Sequence, residues 1–170
     1  MLSGCNSRFQ PTKYLQGARL AGATIRRMAD NITNASNHLK RYVLVYGTLR
    51  RGEQRDINSL LPTPFFKGYG KTPGVLYHLG DYPGVRLGGS QFVHGEVYQI
   101  SAELERQLDE IEEVWPQQTG EYTRQHVGVT FTDASAASSA VPNLTCLVYE
   151  VAGKRIAGMR VIATGDWLQR

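Results

Sequence analysis

Two short stretches of this chain set polar chemistry inside an apolar frame. Residues 42 to 50 read YVLVYGTLR, so an apolar run passes directly into Tyr46, Gly47, Thr48, Leu49 and Arg50. A strand used only for packing continues or turns, whereas this one opens into a loop offering a ring, a hydroxyl, a guanidinium and a glycine backbone. The second stretch is LDEIEE at 108 to 113. On a helix at ~100° per residue, Leu104, Leu108 and Ile111 form a narrow apolar stripe. Glu112 falls ~40° from Leu108, while Asp109, Glu110 and Glu113 point further from the stripe. A carboxylate at a helix C-terminus gains nothing from the helix dipole, and partial burial among other acids raises its pKa. Those conditions suit a group that must both accept and donate a proton. Periodicity alone still favours a solvated acidic helix end with Glu112 turned outward.

Several other chemistries find no support. The four histidines (His38, His78, His94, His126) are scattered, and there is no CxxC or HExxH spacing for a metal site. Cys5 and Cys146 are too few for a disulfide framework, and Cys146 within TCLVYEV reads as a buried thiol. GKT at 70 to 72 lacks the earlier glycine of a phosphate-binding loop, since that position is Phe65. No apolar run approaches the ~18 residues needed to span a bilayer. The net charge of +4 is uneven. Residues 1 to 40 hold six Lys/Arg and one acid, a balance of +5, and the remaining 130 residues hold thirteen bases and fourteen acids, a balance of −1. A nearly neutral main domain argues against nucleic acid as a partner.

The elements that must position the two stretches read as follows. RRGEQRDINSLL after the first strand is a loop with a short helix. FFKGYGKTPGVLYHLGDYPGVRLGG, punctuated by Gly and Pro, predicts short strands and turns. VHGEVYQI at 93 to 100 alternates, with Val93, Gly95, Val97 and Gln99 on one face. SAELERQLDEIEEV at 101 to 114 is the clearest helix, with Ser101 as its N-cap and acids in its first turn. EYTRQHVGVTF and NLTCLVYEV are two more strands, joined by a mobile small-residue loop, DASAASSAVP. Strands dominate and one helix interrupts them, which predicts an α+β domain over residues 41–170 around a curled or closed sheet.

Residues 1–40 form a separate basic extension. Ala18, Ala21, Ile25, Met28, Ala29 and Ile32 recur at helical spacing, with Arg19, Arg26 and Arg27 off the stripe. The favoured reading is an amphipathic helix packing on its own domain, on a second copy as a homodimer, or on another partner, in a cytoplasmic protein. The rival readings are a mitochondrial transit peptide, a helix on an anionic membrane surface, and a lipoprotein box at LSGC, residues 2 to 5.

Taken together, VYGTLRRG, GVLYHLGDYPG, VHGEVYQI, LDEIE and EYTRQHV, in that order, resemble the γ-glutamylcyclotransferase-like family, in its AIG2-like and γ-glutamylamine cyclotransferase branch. The likeness covers roughly residues 42 to 150 and extends to GDW at 165 to 167. It implies a small mixed β-barrel flanked by helices. It implies a substrate pocket lined by Tyr46, Gly47, Thr48 and Leu49, with Tyr122 of the Y-x-R motif also at the substrate and Arg124 after it. The glutamate that closes the L-D-x-x-E motif, Glu112, matches the family's catalytic residue. The implied reaction is intramolecular: the α-amine of a small-molecule γ-glutamyl substrate attacks its own γ-carbonyl, giving 5-oxoproline and an amine or amino acid. The nucleophile belongs to the substrate, so neither cofactor nor metal is expected.

On that reading Gly47 brings the backbone close to the ligand without a Cβ, and the amides of residues 47 to 49 face a substrate oxygen. Arg50 either binds a substrate carboxylate or braces the loop. EVWPQQTGEY between Glu112 and Tyr122 is longer than in compact members and carries Trp115, which puts the pocket's shape and the substrate at issue. An outward Glu112, or a pocket filled by Trp115, would instead favour a non-catalytic ligand-binding module whose N-terminal helix recruits a partner.

Overall fold

The computed structural model describes residues 40–133 and 143–170. The helix expected within residues 1–40 lies outside them, as do residues 134–142 of the DASAASSAVP loop. The described chain runs β1 (Arg41–Val45), β2 (Phe65–His78), β3 (Pro83–Ile100), α1 (Ala102–Ile111), β4 (Tyr122–Phe131), β5 (Asn143–Val151) and the short β6 (Arg160–Val161). Hydrogen-bonded neighbours follow the order β3-β1-β5-β4-β2-β6, and β2 also pairs with β3, so five strands close a ring. The β1–β5 pair is parallel, and the other pairings of the ring are antiparallel. The domain is therefore the expected α+β arrangement, a mixed β-barrel with one α-helix among the described residues.

Period-two alternation separates two cores. Leu44 and Tyr46 of the first strand and its exit, Leu76 of β2, Val93 and Val97 of β3, Val129 of β4, and Cys146 and Val148 of β5 fill the barrel. The intervening residues Val43, Val45, Tyr98, Ile100, Leu147 and Tyr149 face outward and pack on Leu104 and Leu108 of α1. One helix thus covers the strands that end at the 46–50 loop.

The 65–89 region departs from the expectation of short strands and turns. Here β2 runs fourteen residues without interruption and β3 eighteen, with irregularities only between Phe66 and Gly68 and between Pro73 and Gly74. The reason lies in which positions are buried: Gly68, Gly70, Thr72, Gly74 and Leu76, every second residue. These glycines are the inward face of a narrow barrel. A Cβ on Gly70 would stand 2.6 Å from Val129 Cγ1, across the seam where β2 meets β4.

The helix begins as expected, with the Ser101 side chain accepting from Leu104 N at 3.1 Å. It ends at Ile111, three residues short of the expected Val114. Glu113 adopts a left-handed φ of 53°, Glu113 N donates to Glu110 O, and Val114 N donates to Asp109 O. This is a Schellman stop made with a glutamate in place of the usual glycine. Among the described residues no helix is long and apolar enough to cross a membrane.

Candidate active site

β1 delivers Tyr46 to the rim of the barrel, where the chain folds back on itself. Gly47 O accepts from Arg50 N at 3.0 Å, Thr48 O from Arg55 N at 2.9 Å and Leu49 O from Ile57 N at 3.0 Å. The buried side chains of Leu49 and Ile57 anchor this turn in the core beneath α1. All three carbonyls are committed, while the amides of Gly47, Thr48 and Leu49 have no acceptor among the described residues. Consecutive amides left unpaired in a cavity wall form a concave donor site for negatively charged oxygen. Gly47 has a further reason to lack a side chain: a Cβ there would meet Pro83 Cγ at 2.6 Å. The glycine thus lets the β3 entry pack against the loop, in addition to whatever access it gives a ligand.

Opposite stands the end of α1. Its C-cap is Glu112, whose carboxylate has no hydrogen-bond or ion-pair partner among the described residues. Burial pushes its pKa up to about 7; Glu121 pushes the same way, and the Arg55 guanidinium pulls against both. The helix end is held by its neighbour in sequence: Asp109 accepts from Tyr149 OH at 2.8 Å and from Arg124 Nη1 at 3.0 Å, and Arg124 also pairs with Glu105. Two tyrosines close the wall between these groups. Tyr46 OH donates to Tyr149 O at 2.7 Å, and Tyr122 OH donates to Pro83 O at 3.1 Å. Burial raises the pKa of both phenols, and the charge of Glu112 adds to the rise, so both stay protonated.

Tyr46, Gly47, Thr48, Leu49, Glu112 and Tyr122 line one cavity of about 220 Å³. That is below the ~300–1,000 Å³ of pockets for drug-sized ligands, and fits a small polar group with any remainder projecting outward. Arg50 is not among the lining residues. It is 4% exposed, with Nε 3.2 Å from Glu96 Oε1 and Nη1 2.5 Å from Asp166 Oδ1, which corresponds to the loop-bracing alternative. Trp115 does not enter the cavity and is 59% exposed; the 113–121 segment contributes only its two ends, Glu113 and Glu121.

Arg55, Tyr82, Pro83, Glu121 and Tyr149 also line the cavity, and sequence reasoning assigned none of them to it. Tyr82, Pro83 and Glu121 stand inside motifs already singled out, LGDYPG and EYTRQHV, so those motifs held a usable signal. Tyr82 OH and Arg155 both donate to Glu121 Oε1, at 2.8 and 3.0 Å. Nothing local distinguishes Arg55 from Arg51 in RRGEQRD. No cluster of three or more potential metal ligands occurs among the described residues.

Residues 43–169 match the model of the family described as Gamma-glutamyl cyclotransferase, AIG2-like. The chain is 33% identical over 134 residues to a Vibrio cholerae protein named provisionally as a gamma-glutamylcyclotransferase, covering 78% of this chain and 99% of that one. It is 30% identical over 128 residues to the Gamma-glutamylcyclotransferase family protein YtfP of Escherichia coli, covering 75% and 96%. Among solved structures, a mouse AIG2-like protein superposes with a TM-score of 0.55 at 25% identity, over 66% of this chain and 78% of that one.

Proposed function

The chain belongs to the Gamma-glutamyl cyclotransferase, AIG2-like family, and from that premise we propose that it cyclises a γ-glutamyl compound to 5-oxoproline with release of an amine or amino acid. The observation that carries this reading is the unpartnered carboxylate of Glu112, which shares one cavity with three unpaired backbone amides. A pKa near 7 populates both protonation states at neutral pH, as a group that takes and returns a proton requires.

The steps follow from those two features. Glu112 takes a proton from the substrate's α-ammonium, and the freed amine attacks the γ-carbonyl carbon. A ring C–N bond forms and the carbonyl oxygen becomes an oxyanion. The amides of residues 47 to 49 stabilise negative charge on a substrate oxygen at this stage, which needs no reorganisation because the loop carbonyls are already tied down. As the oxyanion collapses, the exocyclic C–N bond breaks and Glu112 returns its proton to the departing nitrogen; the ring nitrogen, which still carries two protons after the attack, releases one to solvent to become the lactam N–H, and the freed amine takes one up there. Reaction inside one molecule gains from proximity, so the walls formed by Tyr46, Tyr122 and Leu49 contribute by holding the chain folded for ring closure. Neither feature that would favour a non-catalytic module is present, since Glu112 lines the cavity and Trp115 stays outside it.

The test is to incubate the protein with a panel of γ-glutamyl amino acids and γ-glutamyl amines and to follow 5-oxoproline by mass spectrometry, with Glu112→Gln alongside. Product from the wild type and not from the variant is the expected result. A folded wild type that forms no product from any member of the panel, or a variant as active as the wild type, overturns the reading.

A further inference from the structure

Beside the cavity lies a more open groove of about 380 Å³ lined by Arg55, Ser59, Leu60 and Ile111. Arg55 and Ile111 line both spaces, so the groove adjoins the cavity on the side of the Glu112 helix end. Arg55 is unusual among the arginines around the site. Arg50 pairs with Glu96 and Asp166, Arg124 with Glu105 and Asp109, and Arg155 with Glu121. Arg55 has no carboxylate within ion-pair distance among the described residues, and its guanidinium makes one long contact, Nη1 to Ile111 O at 3.5 Å. A guanidinium has five N–H donors in a planar fork suited to a carboxylate. Its own backbone is fixed, because Arg55 N donates to Thr48 O of the amide-bearing loop.

We infer that Arg55 and this groove are the subsite for the departing half of the substrate, and that this half is an amino acid with an apolar side chain rather than a simple amine. The inference rests on the proposed cyclisation for its direction. With the reacting γ-carbonyl oxygen against the 47–49 amides and its carbon beside Glu112, the leaving nitrogen is placed toward the edge that the cavity shares with the groove, at Arg55 and Ile111. A carboxylate one carbon beyond that nitrogen comes within reach of the Arg55 fork, and an apolar side chain lies along Leu60 and Ile111. An amine of the same shape without the carboxylate leaves the fork unpaired and loses a charge-assisted contact.

The decisive comparison is a matched pair, γ-glutamyl-leucine and γ-glutamyl-isoamylamine, which differ only in the leaving-group carboxylate. The wild type is expected to favour the leucine compound by about 10- to 100-fold in kcat/KM, the range of one charged hydrogen-bonded contact. Arg55→Met should compress that ratio to within about threefold, chiefly through KM for γ-glutamyl-leucine, and Arg55→Lys should keep an intermediate ratio. Arg55 also acts on the charge of Glu112, so its removal shifts the pH profile for both substrates alike, whereas the ratio reports the subsite. Equal use of the two compounds by the wild type, or a ratio unchanged in Arg55→Met, overturns the inference and leaves the cyclisation standing. If neither compound turns over, the wider γ-glutamyl panel decides the cyclisation reading. Calorimetric binding of the same pair to Glu112→Gln, and to Glu112→Gln with Arg55→Met, then decides the subsite separately: a preference for the leucine compound that disappears with Arg55 supports it, and no preference sinks it.

Discussion

On the loop side of the cavity Glu96 receives three hydrogen bonds, from Arg50 Nε, Arg51 N and Tyr98 OH, whereas on the helix side Glu112 receives none. Both glutamates stand near an arginine. Arg50 is buried against Glu96 and Asp166, and Arg55, five residues on, is exposed and reaches Glu112 only through its field. The loop wall also ties the two ends of the domain together, since Trp167 Nε1 donates to Glu53 Oε2 at 2.9 Å. The contrast teaches a division of labour. The wall that offers fixed amides needs rigidity, which a satisfied buried network provides, and the wall that moves a proton needs a carboxylate whose two states are close in energy, which a satisfied network would prevent.

The largest effects should fall where that contrast is sharpest. Glu112→Gln removes the proton-transfer group, and 5-oxoproline formation should drop by about 10²- to 10⁴-fold; a loss under tenfold would remove Glu112 from the proton-transfer step. Arg50→Met strands Glu96 and Asp166 without their cation, so urea unfolding should show a loss of about 3–5 kcal/mol. A fall below 1 kcal/mol would mean that the loop wall is not held by this network.

The pH dependence separates the walls further. Below about pH 4.5 the Glu112 carboxyl is protonated folded and unfolded alike. Between there and about 7 the unfolded chain gives up that proton while the folded one keeps it, so stability declines as pH rises and then levels off. The total is on the order of 2–3 kcal/mol once contact with cavity water is allowed for. Denaturation midpoints taken from pH 4.5 to 8 should fall in the wild type and stay flatter in Glu112→Gln, making the inactive variant the more stable one at neutral pH. In the active protein, kcat/KM should rise with pH through about 7, where Glu112 deprotonates.

Smaller effects refine the picture. Gly47→Ala drives a Cβ into Pro83 and should cost about 1–3 kcal/mol, together with activity because the amide wall shifts. Glu113→Gly relieves a left-handed glutamate at the helix stop and should stabilise by about 1 kcal/mol in thermal unfolding.

The alternation of 93–100, the Ser101 cap and the strands after residues 121 and 142 are local patterns, and they stand in the fold close to where periodicity put them. The direction of Glu112 was not legible from periodicity, which favoured solvent; ordered motifs and family resemblance pointed it inward. The glycines of 68–74 misled because a turn-forming residue and a side chain omitted from a narrow barrel look alike until neighbouring strands are in place. Arg50 and Arg55 are the same residue type in the same loop, and only partners distant in sequence, Glu96 and Asp166 on one side and the end of α1 on the other, give them different work.

By itself, then, the sequence determined the local elements, whose information lies within a few residues: strand alternation, the helix start, and a glycine loop following an apolar strand. Tertiary structure decided which carboxylate is satisfied and which is left poised, because desolvation and ion pairing depend on what the closed barrel brings within a few ångströms. Glu96 and Glu112 are chemically identical in the unfolded chain, and only the folded surroundings make one a brace and the other an acid with a pKa of about 7.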